Sequence, residues 1–139
     1  MTNEIKITLS RRGGHVRAGT GSKWEPVMGY SRAVRAGKMI FVTGTVGINA
    51  DGTYPKTIGQ QTQRSLEIIV AALRALGAGP ADVVRTRIFT TRIKQWQDIA
   101  AVHGKLFAEI RPATTLIGVS DLIDKAALIE IEVDAVVRD

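Results

Sequence analysis

The sequence predicts an α+β fold in which a single mixed β-sheet carries two α-helices on one face. Six short runs alternate polar and apolar residues or form β-branched apolar stretches, as strands do. Two longer stretches repeat apolar residues every three or four positions, as amphipathic helices do. The predicted order is β-ββ-α-β-α-ββ, and residues 1–139 are predicted to form one domain without internal repeats.

The N-terminal part is predicted to contain three strands. Residues 4–9 alternate as a half-buried strand does, whereas residues 10–29, rich in glycine and basic residues, are predicted to form an irregular connection. Residues 30–36 and 39–47 follow as two strands, and the Gly-Lys pair between them predicts a tight hairpin turn. The nearly continuous apolar character of the second of these runs is typical of a central strand.

Both helices have boundaries that can be read from the sequence. Thr57 and Gln60 have the spacing of a capping box, and Gly77 follows the last position of the apolar stripe, so the first helix is predicted between them. The second helix is predicted from about residue 95 to 109. The remaining strands are predicted at 83–91, 113–119 and 128–137.

The composition excludes several kinds of chemistry. The chain has no cysteine, which rules out disulfides, thiolate metal sites and cysteine nucleophiles. Its two histidines, His15 and His103, have no second metal ligand near them in sequence, so no metal is expected. The sequence has no apolar run of membrane-spanning length and no signal peptide. We therefore expect a cytoplasmic location and no membrane partner.

The net charge of +6 invites a comparison with nucleic-acid-binding proteins. The basic residues are scattered along the chain, however, and aromatic residues make up only 5% of it, which limits base stacking. The charge is therefore interpreted as a general attraction to anions, and RNA is not an expected partner.

The last strand carries an unusual charge pattern. Glu130, Glu132 and Asp134 alternate with apolar residues, so three acids share one face of the strand. Arg85 and Arg87 share a face of an earlier strand and offer complementary charges. Two compatible interpretations are open: a charge ladder across strands or across a subunit interface, and a pocket-facing carboxylate, Glu130 above all, that transfers protons.

Five segments of the chain form a recognisable pattern when they are taken in order. They are Tyr30–Gly37, Phe41–Gly44, Gln60–Leu66, Asp82–Phe89 and Leu128–Ala135. This pattern resembles the YjgF/RidA family, which includes proteins described as endoribonuclease L-PSP. The resemblance implies a chorismate-mutase-like fold and a homotrimer with small-molecule clefts between subunits. It also implies that no cofactor is needed, since the better-known members hydrolyse reactive enamines and imines such as 2-aminoacrylate without one.

The resemblance also implies which residues form the site. Glu130 matches the carboxylate that positions or activates the hydrolytic water, so it is the expected catalytic residue. The expected substrate-binding residues are Tyr30, Thr43, Gly44, Arg87, Phe89 and Thr114. Thr114 stands where deaminating members carry the arginine that binds the substrate carboxylate, and Arg87 is a candidate replacement for that cation.

Three functions stay open at this point. The first is an enamine or imine deaminase whose substrate is altered because Thr114 replaces the family arginine. The second is a non-catalytic trimer that binds a small ligand or acts as a chaperone. The third, ranked last, is an RNA-acting translation inhibitor or endoribonuclease. These three functions are distinguished by the chemistry of the residues that line the cleft, because the fold alone does not determine function.

Overall fold

A computed structural model describes residues 2–138 of the chain. The strands are β1 (Thr8–Arg12), β2 (His15–Gly19), β3 (Ala33–Ala36), β4 (Met39–Val46), β5 (Val83–Thr90), β6 (Ala113–Gly118) and β7 (Ile129–Val136). The helices are α1 (Trp24–Met28), α2 (Ile58–Ala75) and α3 (Trp96–Phe107). No helix within the described range is long and apolar enough to cross a membrane.

All seven strands belong to one sheet, in the order β1-β2-β3-β4-β7-β5-β6. The pairs are antiparallel except for β5 and β6, which run parallel. α2 packs on β4 and β7, and α3 packs beside α2. The predicted fold class, a mixed sheet with both long helices on one face, is confirmed.

The first thirty residues differ from the prediction. The first strand begins at Thr8 and not at residue 4, and the stretch predicted to be irregular contains most of the β1–β2 hairpin and the short helix α1. The hairpin turns through Gly13 and Gly14, whose φ angles of 59° and 82° belong to the left-handed region that glycine adopts without steric cost. A Gly-Gly pair between two alternating runs is a hairpin signal, which the surrounding basic residues obscured.

The boundaries of α2 are those that the sequence predicts. The Thr57 side chain accepts a hydrogen bond from the Gln60 backbone N–H, and the Gln60 side chain accepts one from the Thr57 N–H, which completes the capping box. Gly77, with φ at 85°, ends the helix, and the Ala78 N–H donates to the Leu73 carbonyl at 2.9 Å. This bond and the left-handed glycine are the features of a Schellman cap.

The core lies between the sheet and the two long helices. Alternate residues of β7 face it, and none is more than 1% exposed: Ile129, Ile131, Val133 and Ala135. α2 contributes Leu66, Ile69 and Leu73 to the same core. Because side chains alternate along a strand, the three acids of β7 point to the opposite face of the sheet, here called the open face.

Charged residues on the open face pair with one another inside one chain. Nη1 of Arg87 lies 3.5 Å from Oε1 of Glu132 and 3.3 Å from Oδ2 of Asp134. Nε of Arg85 lies 3.9 Å from the same Asp134 oxygen. The predicted charge ladder across strands is confirmed, and these acids need no partner subunit. Because all four side chains are partly exposed, the pairs contribute little to stability.

A β-bulge interrupts β4 where it borders β7. Val42 pairs with Val133 and Thr45 pairs with Ile131, so two residues of β4 stand opposite one residue of β7. The second residue of the bulge is Gly44. A bulge bends its strand and redirects side chains, and it often occurs beside a functional site.

Candidate active site

A cavity of about 460 Å³ opens beside the bulge, between β4, the N-terminal segment and the loop before β7. Three of the seven predicted site residues line it: Tyr30, Gly44 and Glu130. Its volume lies in the range of small-molecule sites. Within residues 2–138 there is no group of three side chains that could hold a metal ion.

The Glu130 side chain projects from β7 toward the bulge. A Cβ atom at Gly44 would lie 2.7 Å from Oε1 of Glu130, so glycine leaves the room that the carboxylate occupies. Burial raises the pKa of Glu130, the positive charge of Arg32 opposes that rise, and Glu132 adds to it. The carboxylate makes no hydrogen bond or ion pair with residues 2–138, so its oxygens are available to water or a ligand.

Arg32 is a site residue that the sequence interpretation missed. Its buried guanidinium donates through Nη1 to the Gly44 carbonyl at 2.8 Å and to Oγ1 of Thr45 at 3.1 Å. Nη2 donates to the Tyr30 hydroxyl at 3.2 Å, and Nε lies 3.6 Å from Oε2 of Glu25. Arg32 therefore orients Tyr30 and the bulge. The available signal was an arginine two residues after Tyr30, inside the first of the five segments that carry the resemblance.

Tyr54 and Asp124 also line the cavity, and no motif in the sequence indicates a role for them. Burial raises the pKa of the Tyr54 phenol well above its ordinary value, and the nearby carboxylates of Asp124 and Glu130 raise it further. The phenol therefore stays protonated and can donate a hydrogen bond. Both residues lie in loops, whose folding against β7 no local pattern predicts.

Three predicted residues lie outside the cavity on or near the open face. Thr43 donates its hydroxyl hydrogen to the Ser31 carbonyl at 2.7 Å and lines a neighbouring open groove. Arg87 belongs to the charge ladder. Phe89 is the partner of Glu130 in the β5–β7 pairing and shares its face of the sheet. A role of these three residues in substrate binding stays a prediction.

Thr114 points to the face of the sheet opposite Glu130. Its Oγ1 lies 2.8 Å from Oγ1 of Thr86 and donates to the Pro112 carbonyl at 3.1 Å. Thr86 is fully buried on the helix-covered face, and its hydroxyl lies 2.9 Å from Nε2 of His103 on α3. A single chain therefore cannot place Thr114 and Glu130 around the same small ligand, and the binding role of Thr114 stays a prediction.

Glu130→Gln should increase the stability of the fold at neutral pH. Because the pKa of Glu130 is raised in the folded state, its stabilising contribution is present below the unfolded pKa of about 4.3 and is lost as the pH rises through the folded value. Glutamine does not titrate, so the variant avoids this loss. Urea denaturation across pH 4–8 measures the difference. A variant that is less stable at neutral pH would mean that the attraction between Arg32 and the Glu130 carboxylate outweighs the cost of burying that carboxylate and its repulsion by Glu132.

The fold and the cavity define this chain as an α+β protein with a carboxylate-bearing cavity of small-molecule size. The family described as Endoribonuclease L-PSP matches residues 20–137. Uncharacterized protein SCO2049 of Streptomyces coelicolor is 34% identical over 120 residues, which cover 86% of this chain and 90% of that protein. The 2-iminobutanoate/2-iminopropanoate deaminase of Dermatophagoides farinae is 31% identical over 110 residues, covering 78% and 85%.

A solved structure agrees with these sequence relationships. Rv2704 from Mycobacterium tuberculosis, described as a member of the YjgF/YER057c/UK114 family, superposes with a TM-score of 0.82 at 41% identity. The match covers 88% of this chain and 99% of that one. The chain belongs to the YjgF/RidA family, as the resemblance predicted.

Proposed function

We propose that this protein is a cofactor-independent hydrolase of small imines and enamines, with Glu130 as its catalytic residue. The observation that carries the proposal is the Glu130 carboxylate, which is half-buried in the cavity and makes no bond with the described residues. The raised pKa brings its proton exchange closer to neutral pH, which suits general acid–base catalysis. The similarity to an iminobutanoate/iminopropanoate deaminase supports this class of reaction.

The reaction needs only water and proton transfers. An enamine first takes a proton on carbon and becomes an iminium ion. Water then adds to the C=N carbon while Glu130 accepts a proton from it. Return of that proton to nitrogen lets ammonia leave while Glu130 takes up the proton of the new hydroxyl group. The oxygen of the water becomes the carbonyl oxygen of the product, and the proton on Glu130 replaces the one that it gave to the enamine carbon. The Tyr30 hydroxyl, which accepts a hydrogen bond from Arg32, keeps its own hydrogen to donate to the reacting group.

We propose further that the working form is a homotrimer with its clefts between subunits. Contact of one ligand with both Glu130 and Thr114 requires two chains, because the two side chains lie on opposite faces of one sheet. The open face also exposes apolar side chains, which are typical of an interface: Met39, Phe41, Ile117 and Val136. Light scattering should give about three times the 15.0 kDa of one chain. A monomeric mass would contradict the intersubunit cleft.

The proposed substrate differs from that of the carboxylate-recognising members of the family. Thr114 offers a single hydroxyl, which already donates to Pro112, in place of an arginine that binds a carboxylate through two hydrogen bonds. Arg87 is engaged with two acids and does not line the cavity. A carboxylated enamine such as 2-aminoacrylate is therefore expected to be a poor substrate.

A coupled assay with two arms tests the proposal. In one arm a pyridoxal-phosphate dehydratase generates 2-aminoacrylate from serine, and release of the keto acid is timed with and without the protein. In the other arm an amine oxidase generates a carboxylate-free imine from a primary amine, and release of ammonia is timed. We expect the protein to accelerate the second reaction more than the first. No acceleration in either arm by folded, trimeric protein would favour the non-catalytic ligand-binding alternative.

A further inference from the structure

The two arginines in the cavity wall already bind groups of the protein itself. Arg32 is bound to Gly44, Thr45 and Tyr30 and faces Glu25, as described above. Arg64, also buried, donates through Nε to the Ile48 carbonyl at 3.0 Å and through Nη1 to the Asn3 carbonyl at 2.9 Å. These two guanidinium groups bind backbone carbonyls of the protein itself, so neither presents the open two-pronged donor that a ligand carboxylate needs.

The two lysines that line the cavity are exposed. Lys23 places its ammonium 4.9 Å from the centre of the Trp24 ring, a cation–π distance, and Lys6 is exposed to solvent. A solvated ammonium gives weak and salt-sensitive attraction to an anion. The cavity therefore has no preorganised site for a carboxylate among the described residues.

The two acids Glu130 and Asp124, in contrast to the arginines, have few partners within the protein. Glu130 makes no hydrogen bond or ion pair within residues 2–138. Asp124 accepts a hydrogen bond from the Ala126 backbone N–H at 3.1 Å and interacts with the Tyr54 hydroxyl as an acceptor. Tyr54 lines the same cavity as both carboxylates, and both raise the pKa of its phenol. The partly buried charged groups that remain for a ligand are thus carboxylates, which accept hydrogen bonds, and the neutral Tyr30 hydroxyl lies beside them. A buried carboxylate gains most from a cationic N–H donor.

We propose that the cavity selects a ligand with a cationic N–H head group and no carboxylate, and that Asp124 and Tyr54 determine this specificity together with Glu130. The inference rests on the proposed function, because it names the substrate class of the same site. A protonated imine has such a head group. The apolar part of the wall provides room for a small aliphatic or aromatic body; it includes Trp24, Met28, Ile68, Leu122 and Ile123.

Two stable compounds of equal shape and opposite charge test this inference. Benzamidine is a planar cation with N–H donors, and benzoate is its planar anionic counterpart. Isothermal titration of the full-length protein at neutral pH should show benzamidine binding at least about tenfold more tightly than benzoate. Benzoate binding as tightly as benzamidine, or no binding of either compound, would overturn the inference.

Substitutions at single positions show which side chains bind benzamidine. Asp124→Asn should weaken benzamidine binding about tenfold, and Tyr54→Phe, which removes only the hydroxyl, should weaken it several-fold. Asp121→Asn is the matched control, since Asp121 lies in the same loop, is exposed and does not line the cavity. Equal affinities for the Asp121 and Asp124 variants, combined with an unchanged Tyr54→Phe variant, would contradict the assignment.

This binding test is independent of turnover, because neither compound is a substrate for the coupled assay. Selective benzamidine binding without imine hydrolysis would support the charge selectivity and contradict the proposed hydrolase. Hydrolysis of 2-aminoacrylate at the higher rate, together with preferred binding of benzoate, would support a hydrolase and contradict the selectivity.

Discussion

Replacing Glu130 with glutamine is expected to slow imine hydrolysis by about 100-fold or more, which is the usual contribution of a general acid–base group. Glutamine keeps the size of the side chain and can accept a hydrogen bond from water, but it cannot take a proton. The space beside Gly44 stays filled, so the fold should be retained. The carboxylate-free arm of the coupled assay measures the rate, and circular dichroism with light scattering checks folding and assembly.

Glu132→Gln is the matched control for this variant. Glu132 lies two residues along the same strand and points to the same face, but it pairs with Arg87 in the charge ladder. Its replacement should change the rate by no more than about twofold, since exposed ion pairs contribute little. Equal effects of the two variants would mean that the reaction senses the overall charge of the strand and not a proton acceptor at Glu130.

Replacing Gly47 with alanine is expected to destabilise the fold by about 3 kcal/mol or more. A Cβ atom at this position would overlap the carbonyl oxygen of Gln61 in α2 and lie 2.8 Å from its carbonyl carbon. The helix cannot easily move away. Ser65 donates to the Thr45 carbonyl at 2.7 Å, and the Gln61 side chain accepts from the Leu128 N–H at 2.8 Å. Urea denaturation of both proteins measures the loss.

Gly104→Ala is the control for the glycine-to-alanine change itself. Gly104 lies inside α3, and an added Cβ would meet no atom within 4 Å. Alanine there should stabilise the protein by about 0.5–1 kcal/mol, because it lowers the backbone entropy lost on folding. Gly47→Ala unfolding at the same urea concentration as the parent protein would show that α2 can shift on the sheet at little cost.

The predictable parts of this fold are those that depend on residues close together in sequence. The capping box of α2 joins residues three apart, its terminal glycine acts through bonds within one turn, and the β3–β4 hairpin turns through adjacent residues. Alternation likewise assigned Glu130 to the face of β7 opposite the core. The β1–β2 hairpin has the same kind of local signal in Gly13 and Gly14, but the glycine-rich, basic composition around this pair is typical of an irregular connection.

The site was predictable only in part. Tyr30, Gly44 and Glu130 come together in the cavity, whereas Arg32, Tyr54 and Asp124 were found from the structure. Their partners are distant in sequence: Arg32 binds Gly44 and Thr45, and Tyr54 lies near an aspartate seventy positions later. A buried arginine cannot be distinguished from an exposed one until the carbonyl groups that it binds are known.

Local sequence is thus sufficient for most of the elements, because hydrogen bonds and periodicities within a few residues encode them. The family follows from the order of five segments along the chain, and the catalytic candidate follows from the resemblance to that family. Three further properties depend on contacts between distant segments: the position of β7 between β4 and β5, the bulge at Gly44, and the orientation of Thr114 away from Glu130. Strand order and register determine all three of these properties. A strand can pair with several neighbours and in several registers, and the burial of the whole core selects among them.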